Sequence, residues 1–289
     1  RTMRSTIIER LSAGVATGLL LALTACGGAD KQVVPPAKNA TAGTPVMTQG
    51  GGEVGVVDSA GGSGLSGTAL SRYEEGWKAW LKGDLQTAKT KFQEAKEADP
   101  KSPSPPYSLG VVLERLGDTA GAQNAYRSAF TANPEHEISV CAHALSLANS
   151  GHAGEADTFL SDRRSKKPNS PRLTACNAEL KSIAKDHATA QQLAQDALRM
   201  DPDFKEAMVT IARDHYRARK LDLAKYALQA ILEGFGDASP ARDKENAEAR
   251  LIRGLIYREG GARAVALADF EAAVKRRPDL VEALINLGS

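Results

Sequence analysis

Residues 76–100 read GWKAWLKGDLQTAKTKFQEAKEADP, and 34 residues further on, 110–134 read GVVLERLGDTAGAQNAYRSAFTANP. Both open on glycine, repeat it seven residues later, place an alanine four residues before an aromatic ring, and close on proline. The spacing continues through Pro100, Pro134, Pro168 and Pro202, with Pro278 in the same role further on. A period this long marks an array of units that each bury a core only against their neighbours. Such a chain calls for a partner rather than a catalytic pocket.

With each proline set as position 32, the other positions align. Position 8 holds Gly76, Gly110, Ala144, Ala178, Ala212 and Gly254, and position 20 is alanine in all six units, from Ala88 to Ala266. Position 24 is Phe92, Tyr126, Leu160, Ala194, Leu228 and Phe270. Position 27 is Ala95, Ala129, Ala197 and Ala273, with Arg163 and Ile231 departing. The pattern predicts two antiparallel helices per unit. The small residue at position 8 admits the alanine of position 20, and the bulky residue at position 24 fills the space beneath. Gly83, Gly117, Gly151 and Gly261 near position 15 suit the left-handed residue that ends a helix. Proline at position 32 stops the second helix.

This pattern resembles the tetratricopeptide repeat (TPR) over residues 69–289. The resemblance implies an all-α superhelical solenoid of six units plus the start of a seventh at Val281 to Gly288. Unit five lacks the proline, carrying Gly236 there, and about eight extra residues precede unit six, so Asp237 to Asn246 (237–246) is expected to protrude as a polar loop. Apolar Leu284 and Leu287 would be poorly covered in a half-unit, which favours continuation beyond Ser289.

The resemblance also implies a groove lined by the first helices, mainly through positions 2, 5, 9, 12 and 13. Carried over, these positions nominate Tyr73, Trp77 and Trp80 in unit one, with Leu70 and Leu81 beside them. Unit two adds Tyr107 and Val111, unit three Leu145, and unit five Arg213, Tyr216 and Arg217. Trp80 has two readings, groove wall or cover for the exposed end of the array. Aromatic anchors with basic residues further along suit an extended peptide or a partner helix. The clamp for chaperone tails needs lysine and asparagine where this chain has Tyr73 and Trp77, so that activity is not implied.

Ahead of the repeats, Arg4 and Arg10 flank the start of an apolar run from Leu11 to Leu23 that ends in Leu23-Thr24-Ala25-Cys26. The run is short for a membrane span. Basic head, short apolar body and small residues before cysteine resemble a bacterial lipoprotein signal over 1–25. That resemblance makes Cys26 the lipidated residue, held by more than one acyl chain, as stable attachment requires. Gly27 after it implies the outer membrane, facing the periplasm. Residues 26–68, including Gly50-Gly51-Gly52 and Gly61-Gly62-Ser63-Gly64, lack the apolar density to order and are expected to be a flexible tether reaching about 35 to 40 Å.

Net charge is +2, from 37 basic and 35 acidic residues, so no polyanion-binding field is implied and nucleic acid is not an expected partner. The clusters Arg163-Arg164-Ser165-Lys166-Lys167 and Lys275-Arg276-Arg277 close second helices, where cations complement the helix dipole. The histidines at 136, 143, 152, 187 and 215 lack metal-ligand spacing, and Asp186-His187 and Asp214-His215 are sequence neighbours that do not meet on one helix face. Nucleophile-elbow, phosphate-loop and zinc signatures are lacking, so no catalytic residues, metal, cofactor or small-molecule substrate are expected. Cys141 and Cys176 sit at nearly equivalent places on adjacent first helices. Two readings stay open: a disulfide between units three and four, or two small thiols aimed apart by their one-residue offset.

Together these readings describe a lipid-anchored scaffold that binds other envelope proteins. Among TPR lipoproteins of envelope machines, Ala/Gly/Arg-rich usage and the long glycine tether favour those of myxobacterial gliding motility. Pilotins of type IV pilus secretins come second, and a recruiting module of a longer enzyme third.

Overall fold

The computed structural model describes residues 45–46, 55–56, 64–277 and 280–288. The lipoprotein signal, Cys26, Pro278 and most of the expected tether lie outside them. Within the tether segment, Pro45–Val46 (β1) pairs antiparallel with Gly55–Val56 (β2). The helical part begins at Gly67, two residues ahead of the expected boundary, and Leu65 already packs against the first unit.

Among the described residues, twelve helices form six hairpins. They are α1 (Gly67–Leu81) with α2 (Leu85–Ala98), α3 (Ser104–Arg115) with α4 (Thr119–Ala132), and α5 (Glu137–Asn149) with α6 (Ala153–Lys166). Then come α7 (Pro171–Ile183) with α8 (His187–Met200), α9 (Lys205–Arg217) with α10 (Leu221–Leu232), and α11 (Ala247–Glu259) with α12 (Arg263–Arg276). Helix α13 (Val281–Leu287) opens a seventh. Each first helix touches its own second helix, and α5, α7, α9 and α11 also pack on one another in succession. The chain is the all-α, TPR-like solenoid that the repeat predicts.

Local signals set the turns. Gly83, Gly117, Gly151 and Gly261 have φ of 77°, 80°, 89° and 79°, the left-handed region glycine enters without strain. Units four and five place Lys185 and Arg219 there, at 64° and 61°. The next residue caps the second helix in three units: Asp84, Asp118 and Asp186 accept from the backbone N–H of Thr87, Gly121 and Thr189. At the other end, the side chains of Asp99, Asn133 and Asp201 accept from the N–H two residues on, turning the chain around Pro100, Pro134 and Pro202.

At the hairpin crossing, the side chain of position 24 lies nearest to position 8 where that position is glycine. A Cβ on Gly76 would come within 2.6 Å of the Phe92 ring, one on Gly110 within 2.5 Å of Tyr126, and one on Gly254 within 2.5 Å of Phe270. Units with alanine at position 8 carry Leu160, Ala194 or Leu228 instead of a ring. The two positions trade volume, as close packing demands. Arg163 replaces alanine at position 27 and lies over two rings, its guanidinium 5.0 Å from the Phe130 ring centre and 5.3 Å from that of Phe159.

The insertion before unit six is less free than expected. Gly234 bridges Pro240, the Asp243 N–H donates to the Ile231 carbonyl at 2.8 Å, and Arg242 pairs with Asp203 at 2.8 Å. Asn246, at its end, is buried as the cap of α11. On α13, Leu284 is exposed as expected, while Leu287 packs partly against the core of unit six.

Candidate partner groove

Glu179, near the middle of α7, is a buried carboxylate with 7 % exposure. Arg217 of α9 donates to it at 2.8 Å, and Arg213, one turn earlier, sits at 3.2 Å. Arg217 also reaches the Ser182 hydroxyl at 3.0 Å, and Arg213 pairs with Glu248 of α11. Glu248 in turn accepts from Arg277, itself only 2 % exposed, at 3.0 Å. Burial alone would raise the pKa of Glu179, yet the two arginines hold it below the ordinary carboxylate range. Two turns earlier on the same helix, Arg172 pairs with Glu206 at 2.8 Å and lies over the Phe204 ring at 5.3 Å.

Of these groups, Arg172, Glu179, Phe204, Glu206, Arg213 and Arg217 line one side of a cavity of ≈ 400 Å³. Leu145, Cys141 and Asn149 of α5 and Glu114 of α3 form the opposite side. Most of the lining side chains fall at positions 2, 5, 6, 9 and 13 of successive first helices.

The structure divides the nominated residues. Leu145, Arg213 and Arg217 converge on this cavity. Tyr73, Trp77 and Trp80, with exposures of 4 %, 3 % and 3 %, are core. Trp77 lies 5.3 Å from the Phe92 ring and 6.2 Å from Trp80, and Tyr73 hydrogen-bonds Ser108 at 3.1 Å. Tyr107 and Val111 are likewise buried. The expectation that Trp77 anchors a partner is therefore corrected: large rings at groove positions pack on one another and close the space they would line. Tyr216 stands outside the cavity and donates to Glu259 at 2.7 Å; burial, with this bond, pushes its hydroxyl pKa up to about 12.

Unit four was overlooked as a groove wall. Arg172, Ala175, Glu179 and Ile183 occupy its positions 2, 5, 9 and 13, so the same rule would have found them. The basic cluster at Lys275 to Arg277 is more than a helix-end feature, because Arg277 takes part in the buried charge chain. Among the histidines, His187 meets Asp214 at 2.7 Å across two units, a contact their sequence neighbours do not make. Cys141 and Cys176 both line the cavity.

The tetratricopeptide repeat family matches residues 107–136 and again residues 209–281. A mouse (Mus musculus) interferon-induced protein with tetratricopeptide repeats is 29 % identical over 99 residues, covering 33 % of this chain and 25 % of that protein. A tetratricopeptide repeat protein from Parabacteroides merdae superposes with a TM-score of 0.59 at 16 % identity, over 76 % of this chain and 83 % of that one. PilW, a type IV pilus biogenesis factor, superposes less well, with a TM-score of 0.48 at 16 % identity over 77 % of this chain and 100 % of that one. Helix order and turn geometry make the chain a TPR-like helical solenoid, with tetratricopeptide repeats recognised at residues 107–136 and 209–281.

Proposed function

We propose that the chain is a protein-binding scaffold whose groove across α5, α7 and α9 receives a peptide segment of a partner protein. The observation that carries this is the cavity lined mostly at recurring first-helix positions, with charged side chains of both signs along its wall. Arg172, Arg213 and Arg217 already face carboxylates, so the groove is charged on both signs and suits a mixed polar segment rather than a polyanion. A photoreactive benzoylphenylalanine at Leu145 should cross-link a discrete protein in envelope extracts, whereas the same group at exposed Leu223 on α10 should not. Equal labelling from both sites would overturn the groove assignment.

The proposal extends to a lipid anchor at Cys26 and a place at the outer membrane, facing the periplasm, on the strength of Leu23-Thr24-Ala25-Cys26 and the small-residue tether after it. Within that setting we favour an envelope machine of gliding motility, from the Ala/Gly/Arg usage and tether length. The same cells test the anchor. Labelled palmitate should enter the wild-type chain and not Cys26→Ser, and an unlabelled wild type would remove the anchor from the proposal.

A further inference from the structure

The groove wall carries a thiol pair whose position follows from the stacking register. Adjacent first helices meet position 5 against position 6, a separation of 35 residues. Unit one shows the register directly, with the Tyr73 hydroxyl 3.1 Å from the Ser108 hydroxyl. Cys141 and Cys176 hold the same two positions in units three and four, on helices α5 and α7 that pack side by side. The one-residue offset that seemed to aim the thiols apart is thus the contact register itself, and both side chains, free in this structure, line the same cavity.

The two differ in access. Cys141 is half-buried, its sulfur near the Arg172 carbonyl at 3.9 Å, and the Arg172 guanidinium acts on it electrostatically. Cys176 is buried behind it, and burial pushes its thiol well above the ordinary range. A thiolate is the attacking species in exchange, and it must be reached by the small-molecule disulfide. Entry therefore belongs to Cys141.

We propose that Cys141 and Cys176 form a reversible disulfide that clamps α5 to α7 in the groove wall, made by exchange with a small-molecule disulfide of the glutathione type. Cys141 gives its proton to solvent and attacks one sulfur of oxidised glutathione. A mixed disulfide forms, and one glutathione leaves as thiolate and takes up a proton. Cys176 then loses its proton and attacks the Cys141 sulfur, and the second glutathione leaves in the same way. Two protein thiols are oxidised to one disulfide while one glutathione disulfide is reduced to two thiols. Excess dithiol reverses both steps.

The test uses the full chain carrying Cys26→Ser, so that only the pair reacts. After incubation with oxidised glutathione, free thiols are alkylated and the chain is cut with trypsin without reduction. Peptides 128–163 and 173–181 should appear joined, with no glutathione retained, and dithiothreitol should separate them. Cys176→Ser should stop with one glutathione on Cys141, and Cys141→Ser should leave Cys176 unmodified in the native chain. A wild-type pair that accumulates glutathione on Cys141 with Cys176 alkylated, or that stays wholly reduced, overturns the clamp. Equal glutathione uptake by the two serine variants overturns the order of attack.

Discussion

Units one and four share one register and fill it in opposite ways. Unit one places Tyr73 at position 5 and Trp77 at position 9; unit four places Ala175 and Glu179 there. In unit one the rings meet edge to face, Tyr73 to Trp77 at 6.1 Å and Trp77 to Phe92 at 5.3 Å, and the position becomes core. In unit four the small residue leaves room, and the carboxylate stays charged because Arg213 and Arg217 reach it from the next unit. Helix register says which way a side chain faces. Its size, and what stands 34 residues away, decide whether that direction ends in packing or in open space.

The sharpest way to break the contrast is Trp77→Ala. If the ring is core, urea unfolding should show a loss of about 3 to 5 kcal/mol. A loss below about 1 kcal/mol would return Trp77 to the groove. Glu179→Gln probes the other side and should cost about 3 kcal/mol at neutral pH, because it leaves two arginines without their buried partner. The sign with pH follows from the lowered pKa of Glu179. Its stabilisation is present above the ordinary value of 4.5 and is lost as pH falls through the lower folded value. The gap between wild type and variant should therefore shrink in acid, and a gap that held constant from pH 7 to pH 3 would refute the linkage. The smallest effect concerns the turn of unit four. Lys185→Gly should add about 0.5 to 1 kcal/mol by relieving a left-handed non-glycine residue that unit one already avoids with Gly83. Matched thermal melts of the two chains would check it.

The repeat, its helix pairs and its turns were legible from residues alone. Gly83 and Gly117 answer a backbone need that no other residue meets as cheaply, and Asp84 and Asp118 cap the helix that follows. Gly76 with Phe92 and Gly110 with Tyr126 each lie within one hairpin, so sequence spacing reports their contact. The candidate site was legible only in part. Leu145, Arg213 and Arg217 came from the position rule, and the same rule wrongly kept Trp77 and Tyr107 in the groove. It counts direction without asking how much volume is available. The insertion after α10 is largely exposed, as its polarity suggested, but its ties to the array, the Asp243 N–H on the Ile231 carbonyl and the Asn246 cap of α11, were not legible.

By itself the sequence determined the period, the hairpins and the points where chain direction reverses, because these depend on local dihedral preferences and on pairs one hairpin apart. Only the tertiary structure decided which groove positions stay open, which carboxylate is held between two arginines, and that Cys141 and Cys176 line one cavity. Those outcomes depend on the summed volume and charge of side chains a full unit apart, which no single repeat contains.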